Sequence, residues 1–177
     1  MIRMRFGAMV FLTVCAIIFV VFPAWAQTRN GVVFQVGPTI NSGGVSSEVL
    51  YFSHWSDQWS WEVGMGHRLW FLPEHLSGHV TGMARIRYAL DIFRLLPSLY
   101  AGLGGGWMPD ESVSVMELQY GIAVDYLLSR RWLIGLDASG INAVFSAKIL
   151  DAHDTPISSA FRFQVLFCLQ WVWGETW

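Results

Sequence analysis

Five groups of side chains in this 177-residue sequence are equipped for chemistry. His75-Leu76-Ser77, beside Glu74, sets an imidazole two positions from a hydroxyl with a carboxylate next to them, the parts of a base-activated nucleophile. Asp151, His153 and Asp154, with Asp110 and Glu111 as neighbours, are donors of the kind that bind a divalent cation. Gly104-Gly105-Gly106 offers the small residues that a phosphate loop needs. Cys15 and Cys168 are too few for a disulfide-stapled mini-domain or a four-ligand zinc site. The fifth group is dispersed: Glu48, Glu62, Arg68, Arg85, Arg87, Asp91, Glu117, Asp125, Asp137 and Arg162 recur singly, each flanked by apolar or small residues.

Chemistry needs a scaffold, and the first four groups lack one. His75 and Ser77 fall in a predicted loop over 71–77, with nothing rigid to hold base and nucleophile within hydrogen-bond reach, so they read as a polar loop tip. The Asp151 cluster lies in the longest predicted connection, 145–157, and reads as solvated loop charge. The triple glycine has no strand-to-helix context and reads as close packing within a strand. No catalytic, cofactor or metal site is therefore expected. His67 is expected near one rim of the outer surface, and His54 and His79 among the internal polar side chains.

The composition says what kind of protein carries the dispersed charges. Charged residues are 14 %, against roughly 25 % in an ordinary soluble domain, while 54 % are hydrophobic and 15 % aromatic. Of eleven basic residues only Lys148 is a lysine, and a net charge of −2 leaves no basic excess for nucleic acid. Residues 1–26 read as a cleaved signal peptide: Arg3 and Arg5, an apolar stretch from Phe6 to Phe22, Pro23, then Ala24-Trp25-Ala26 for the peptidase. The mature domain is then 27–177, with Cys168 as its one thiol, read as a small buried hydrophobe. An uncleaved anchor and a lipid-modified Cys15 are the weaker readings of the same segment.

From residue 27 onward no apolar run is long enough for a membrane helix; the chain alternates with period two, the mark of strands with unlike faces. Phe161, Phe163, Val165, Phe167, Leu169, Trp171 and Trp173 share one face, and Arg162, Gln164, Leu166, Cys168, Gln170 and Val172 the other. The same pattern predicts eight strands at 31–39, 44–55, 59–70, 78–92, 97–108, 113–127, 131–144 and 158–173. Short turns at one end and mostly longer loops at the other suit an up-and-down meander closed into a barrel. Alternation alone leaves open which face is outside. Three considerations place the apolar face outward, in lipid. The other face carries Gly64, Gly66, Gly102, Gly104, Gly121, Ala123, Gly135 and Ser139, small enough for the narrow interior of eight strands. It also carries the mixed acids and arginines, the pattern of a paired internal network rather than a solvated coat. Trp55, Trp59, Trp61, Trp70, Trp107, Trp132, Trp171, Trp173 and Trp177 all lie near strand ends or turns, as an interfacial aromatic belt would.

On this alternation, on Tyr100-Ala101-Gly102-Leu103-Gly104-Gly105-Gly106-Trp107 and on the tail, the chain resembles the small eight-stranded outer-membrane barrels of Gram-negative-type bacteria. The resemblance covers nearly the whole mature region. It implies an all-β, antiparallel transmembrane barrel whose final aromatic, here Trp177 with Trp173, Trp171 and Leu169 before it, is read by the barrel-assembly machinery; Glu175 departs from that pattern. Some barrels of the class deacylate lipid A with a His-x-Ser pair near the outer end of the penultimate strand. The corresponding Asp137-Ala138-Ser139-Gly140 has no histidine. The expected function is thus a non-enzymatic outer-membrane barrel, in contact with outer-membrane lipids, its loops free to meet an extracellular ligand. A narrow channel or transporter for small or hydrophobic solutes, a lipid A-modifying enzyme, and a periplasmic ligand-binding barrel with faces reversed are the alternatives.

Overall fold

A computed structural model describes residues 29–40, 43–71, 76–108, 113–148 and 161–174. The expected leader 1–26, Glu74, His75, Asp110, Glu111, Asp151, His153, Asp154, Glu175 and Trp177 lie outside them. Eight strands run in chain order: β1 (Asn30–Thr39), β2 (Gly44–His54), β3 (Trp59–Phe71), β4 (Leu76–Ala89), β5 (Leu95–Met108), β6 (Val113–Ser129), β7 (Trp132–Lys148) and β8 (Arg162–Trp173). Each pairs antiparallel with its neighbours, and β1 with β8 closes the barrel.

The register fixes the shape. Thr39 lies opposite Gln164, and neighbour by neighbour the path runs through Ser139, Gly121, Tyr100, Arg87, Ser60 and His54, whose N–H donates to the carbonyl of Arg29. One circuit therefore returns to β1 ten residues lower (39 − 29 = 10). With eight strands this shear tilts them by about 41° and sets a backbone radius of about 8 Å, a bore that side chains can fill.

The two faces separate cleanly. On β6, Met116, Leu118, Tyr120, Ile122, Val124 and Tyr126 all point outward and are exposed, while Val115, Glu117, Gln119, Ala123 and Asp125 are buried. Tilted strands climb about 2.5 Å per residue along the axis, so the stripe from Tyr126 to Met116 makes an apolar wall about 25 Å tall, the height of the lipid-facing band of such barrels.

Several boundaries differ from the sequence reading. Strand β4 stops at Ala89 rather than residue 92 and β5 starts at Leu95 rather than 97, so the turn between them is 90–94. Leu90, Asp91 and Ile92 keep the alternation going, but Phe93 takes a φ of 60° and reverses the chain. Pro97, expected to open β5, sits two residues inside it, its carbonyl accepting from Leu90 N–H at 2.8 Å. Leu76 and Ser77, expected in a loop, open β4, and β7 extends to Lys148. A register shift between Met116 and Glu117 lengthens the β6–β7 hairpin beyond the point where its alternation can be followed.

Candidate functional site

Among the described residues, ionisable side chains converge in the bore. Glu48, Glu62, Glu117, Asp125, Asp137, Arg68, Arg85 and Arg87 are all at most 5 % exposed. They form an alternating ladder down the axis. From the loop end, Arg162 meets Glu117 at 3.4 Å. Glu117 meets Arg68 at 2.6 Å, and Arg68 approaches Glu48 at 3.8 Å. Glu48 lies 3.7 Å from Arg85, which is bonded through Nε to Glu62. Glu62 in turn holds Arg87 at 2.6 Å, and Arg87 reaches Asp125 at 3.3 Å and Asp137 at 3.9 Å. Arg68, Arg85 and Arg87 thus each stand between carboxylates, the arrangement that offsets the desolvation of buried charge.

Neutral groups complete it. Tyr100 donates its hydroxyl to Asp137 at 2.6 Å, and its ring lies under the Arg85 guanidinium at 4.5 Å. Gln35 accepts from Arg85 Nη2 at 2.9 Å and donates to Asp137 at 3.3 Å; Gln164 donates to Glu48 at 3.0 Å. His79 is fully buried with Nδ1 3.9 Å from Glu117. Glycines on adjacent strands make room for these large groups: a Cβ on Gly106 would overlap the His79 ring, and one on Gly121 would come within 2.6 Å of the Tyr100 hydroxyl.

At the short-turn end the ladder gives way to apolar packing. Phe52, Leu96, Leu133 and Val172 belong to one buried cluster, with Phe52 seated against Gly31. Beside them a cavity of about 40 Å³, lined also by His54, Asp57 and Gln170, has room for a few waters and no more.

Of the ten charges singled out in the sequence, the barrel brings nine together. Asp91 is the exception, exposed on the 90–94 turn beyond the end of β4. The sequence puts Gln164 on the charged face without showing its role, and Gln35 and Tyr100 went unassigned; the signal for Tyr100 and Gln164 was their position opposite Gly121 and Ser139. Among the described residues no three His, Cys, Asp or Glu side chains converge as metal ligands. His67 points outward and is exposed.

The outer surface has its own pattern. Around the short-turn end Trp132 stacks on Trp171 (6.3 Å), Trp171 packs on Trp173 (5.0 Å), and Trp173 and Trp61 both pack on Tyr51 (6.2 and 5.4 Å). Trp55, Trp59 and Tyr88 extend the arc across β2 to β4. Trp107 stands towards the loop end of β5, and Trp70 is paired there between Gly44 and Ser77.

No family model matches the chain, and no curated protein matches its sequence. Solved structures do match. The N-terminal β-barrel domain of Pseudomonas aeruginosa OprF superposes with a TM-score of 0.56 at 7 % identity, over 84 % of this chain and 98 % of that one. Neisserial surface protein A gives 0.55 at 12 % identity, over 82 % and 94 %. A de novo designed transmembrane β-barrel gives 0.52 at 12 % identity, over 84 % and 97 %. At these identities the likeness is one of fold: the chain is a closed, eight-stranded antiparallel β-barrel, similar in fold to these small membrane barrels.

Proposed function

We propose that this chain is a non-enzymatic integral barrel of the bacterial outer membrane, exported through residues 1–26 and inserted by the barrel-assembly machinery. Its bore is closed, and its role is structural or adhesive, through contacts made by the loops. The observation that carries this reading is the ladder from Arg162 to Asp125, which spans the bore with paired charge while the outer wall is apolar. A water-filled channel would leave those charges solvated instead of pressed together. The apolar seal of Phe52, Leu96, Leu133 and Val172 adds a second obstruction. The arc of tryptophans belongs at a membrane–water interface, where amphipathic rings are favoured.

The test is reconstitution into a planar lipid bilayer, combined with mass spectrometry of lipid A from cells with and without the protein. A closed, inert barrel gives no steady conductance and unchanged lipid A. Stable openings would make it a channel, and a changed acylation pattern would make it an enzyme.

A further inference from the structure

The three short turns at the barrel's tryptophan-rich end are not alike. The β2–β3 turn, Trp55-Ser56-Asp57-Gln58, is polar but for one exposed tryptophan, and the β6–β7 turn is Arg130-Arg131, whereas the turn from β4 to β5 reads Leu90-Asp91-Ile92-Phe93-Arg94. Ile92 and Leu95 exchange backbone hydrogen bonds at 3.0 Å, leaving Phe93 and Arg94 as the two residues at the tip. Phe93 adopts the left-handed φ of 60° that such tips reserve for glycine, and it is 96 % exposed. A bulky apolar side chain held in a strained backbone and covered by nothing among the described residues calls for a partner.

Two further observations say what that partner is. First, the tip is not an isolated patch. Leu90 and Ile92 continue the outward stripe of Ile86 and the half-buried Tyr88, and Leu95 and Leu128 flank them; apart from Tyr88 all are exposed, so the apolar outer wall runs on to Phe93. Second, the charge around it is one-sided. Every arginine of the described residues outside the bore stands at this end: Arg29, Arg94, Arg130 and Arg131. Against them, among the described residues, are Asp57 and Asp91, a formal balance of 4 − 2 = +2. Arg94 and the β6–β7 turn are neighbours, because Leu127 N–H donates to the Arg94 carbonyl at 2.9 Å, and the three arginines of these turns make no salt bridge among the described residues. Arginine stems lie along apolar surface while their heads reach phosphate, and a basic collar of this kind attracts an anionic leaflet.

We infer that the 90–95 hairpin tip is a lipid anchor: Phe93 enters the acyl region of the leaflet at the short-turn end while Arg94, Arg130 and Arg131 engage anionic phospholipid headgroups. This rests on the membrane-barrel reading above and adds a site to it.

The test labels Phe93→Cys with an environment-sensitive fluorophore in barrels folded into vesicles of phosphatidylglycerol and phosphatidylcholine; Cys168 is buried and does not compete. Leu99→Cys, on the outer wall, and Gln58→Cys, on a polar turn, are the references. The Phe93 site should follow Leu99, quenched by brominated acyl chains and shielded from aqueous iodide. Iodide access equal to that of Gln58, or shielding that appears only with cross-linking to a second copy or another protein, overturns the anchor. Native mass spectrometry of barrels from the mixed vesicles should show the preference for phosphatidylglycerol falling by about fivefold for each arginine removed in R94Q/R130Q/R131Q. An unchanged preference overturns the headgroup role. Phe93→Gly should preserve or raise resistance to unfolding in detergent, since it relieves the φ, yet lose iodide shielding of a label at Ile92→Cys. Barrels that never insert into the vesicles would sink the membrane reading itself; inserted barrels with a water-exposed tip sink the anchor alone.

Discussion

Replacing Arg85 and Arg87 together by methionine removes the centre of the ladder while keeping most of the side-chain volume. The consequences can be counted. The bore holds Arg68, Arg85, Arg87 and Arg162 against Glu48, Glu62, Glu117, Asp125 and Asp137, a formal balance of 4 − 5 = −1. The double variant takes it to −3. Glu62 loses both of its cationic partners, Asp125 and Asp137 lose Arg87, and Glu48 keeps only Arg68 at 3.8 Å. Breaking one buried pair by removing a partner costs about 3–5 kcal/mol. Three orphaned carboxylates share one neighbourhood and their costs do not add, so a loss of about 4 kcal/mol or more is expected. Urea unfolding in detergent, followed by tryptophan fluorescence, measures it. Adding Glu62→Gln should recover part of the loss, because it deletes the carboxylate left most isolated. A loss below about 1 kcal/mol would refute the paired ladder, since surface ion pairs are worth no more than that.

Other perturbations separate the same picture from its rivals. Ile122→Arg, on a residue that is 56 % exposed near mid-height of the outer wall, should destabilise the lipid-inserted barrel by about 2–4 kcal/mol; a cost near zero would mean that this wall faces water. Phe52→Ala should cost about 3–5 kcal/mol from the cavity it leaves under the turn-end seal, yet produce no bilayer conductance, because Glu62 and Arg87 still close the bore. Gly106→Ala should destabilise measurably by forcing a Cβ into the His79 ring, and His79→Ala in the same chain should relieve most of that penalty; additive losses would contradict the contact. Cys168, buried and accepting from Gln35 at 3.0 Å, should resist maleimide in the folded barrel and react once the sample is boiled.

The fold was legible because period two is a local signal. In β8, large aromatics on odd positions and Gln164, Cys168 and Gln170 on even ones assign both faces without knowledge of any partner strand. The same signal misled at Asp91, where alternation persists through a turn that only the φ of Phe93 reveals. Membership of the bore was also readable residue by residue, but the pairing within it was not. Glu48 meets Arg68 and Arg85, from two different strands, because the ten-residue shear brings them to adjoining heights. Shear is a property of the closed sheet, set by the sum of eight registers and the bulge after Met116, and no single strand contains it. Tyr100 escaped notice for a related reason: its hydroxyl points inward only because Gly121, on the next strand, leaves the space.

The most direct measurement is the migration of the membrane-fraction protein on a detergent gel, with and without boiling. A closed barrel with its apolar wall in lipid withstands the detergent at room temperature and runs at a different position from the boiled, unfolded chain. Identical migration in both lanes, together with release of the protein as a dissolved monomer by osmotic shock, would contradict a lipid-facing wall around a charged core.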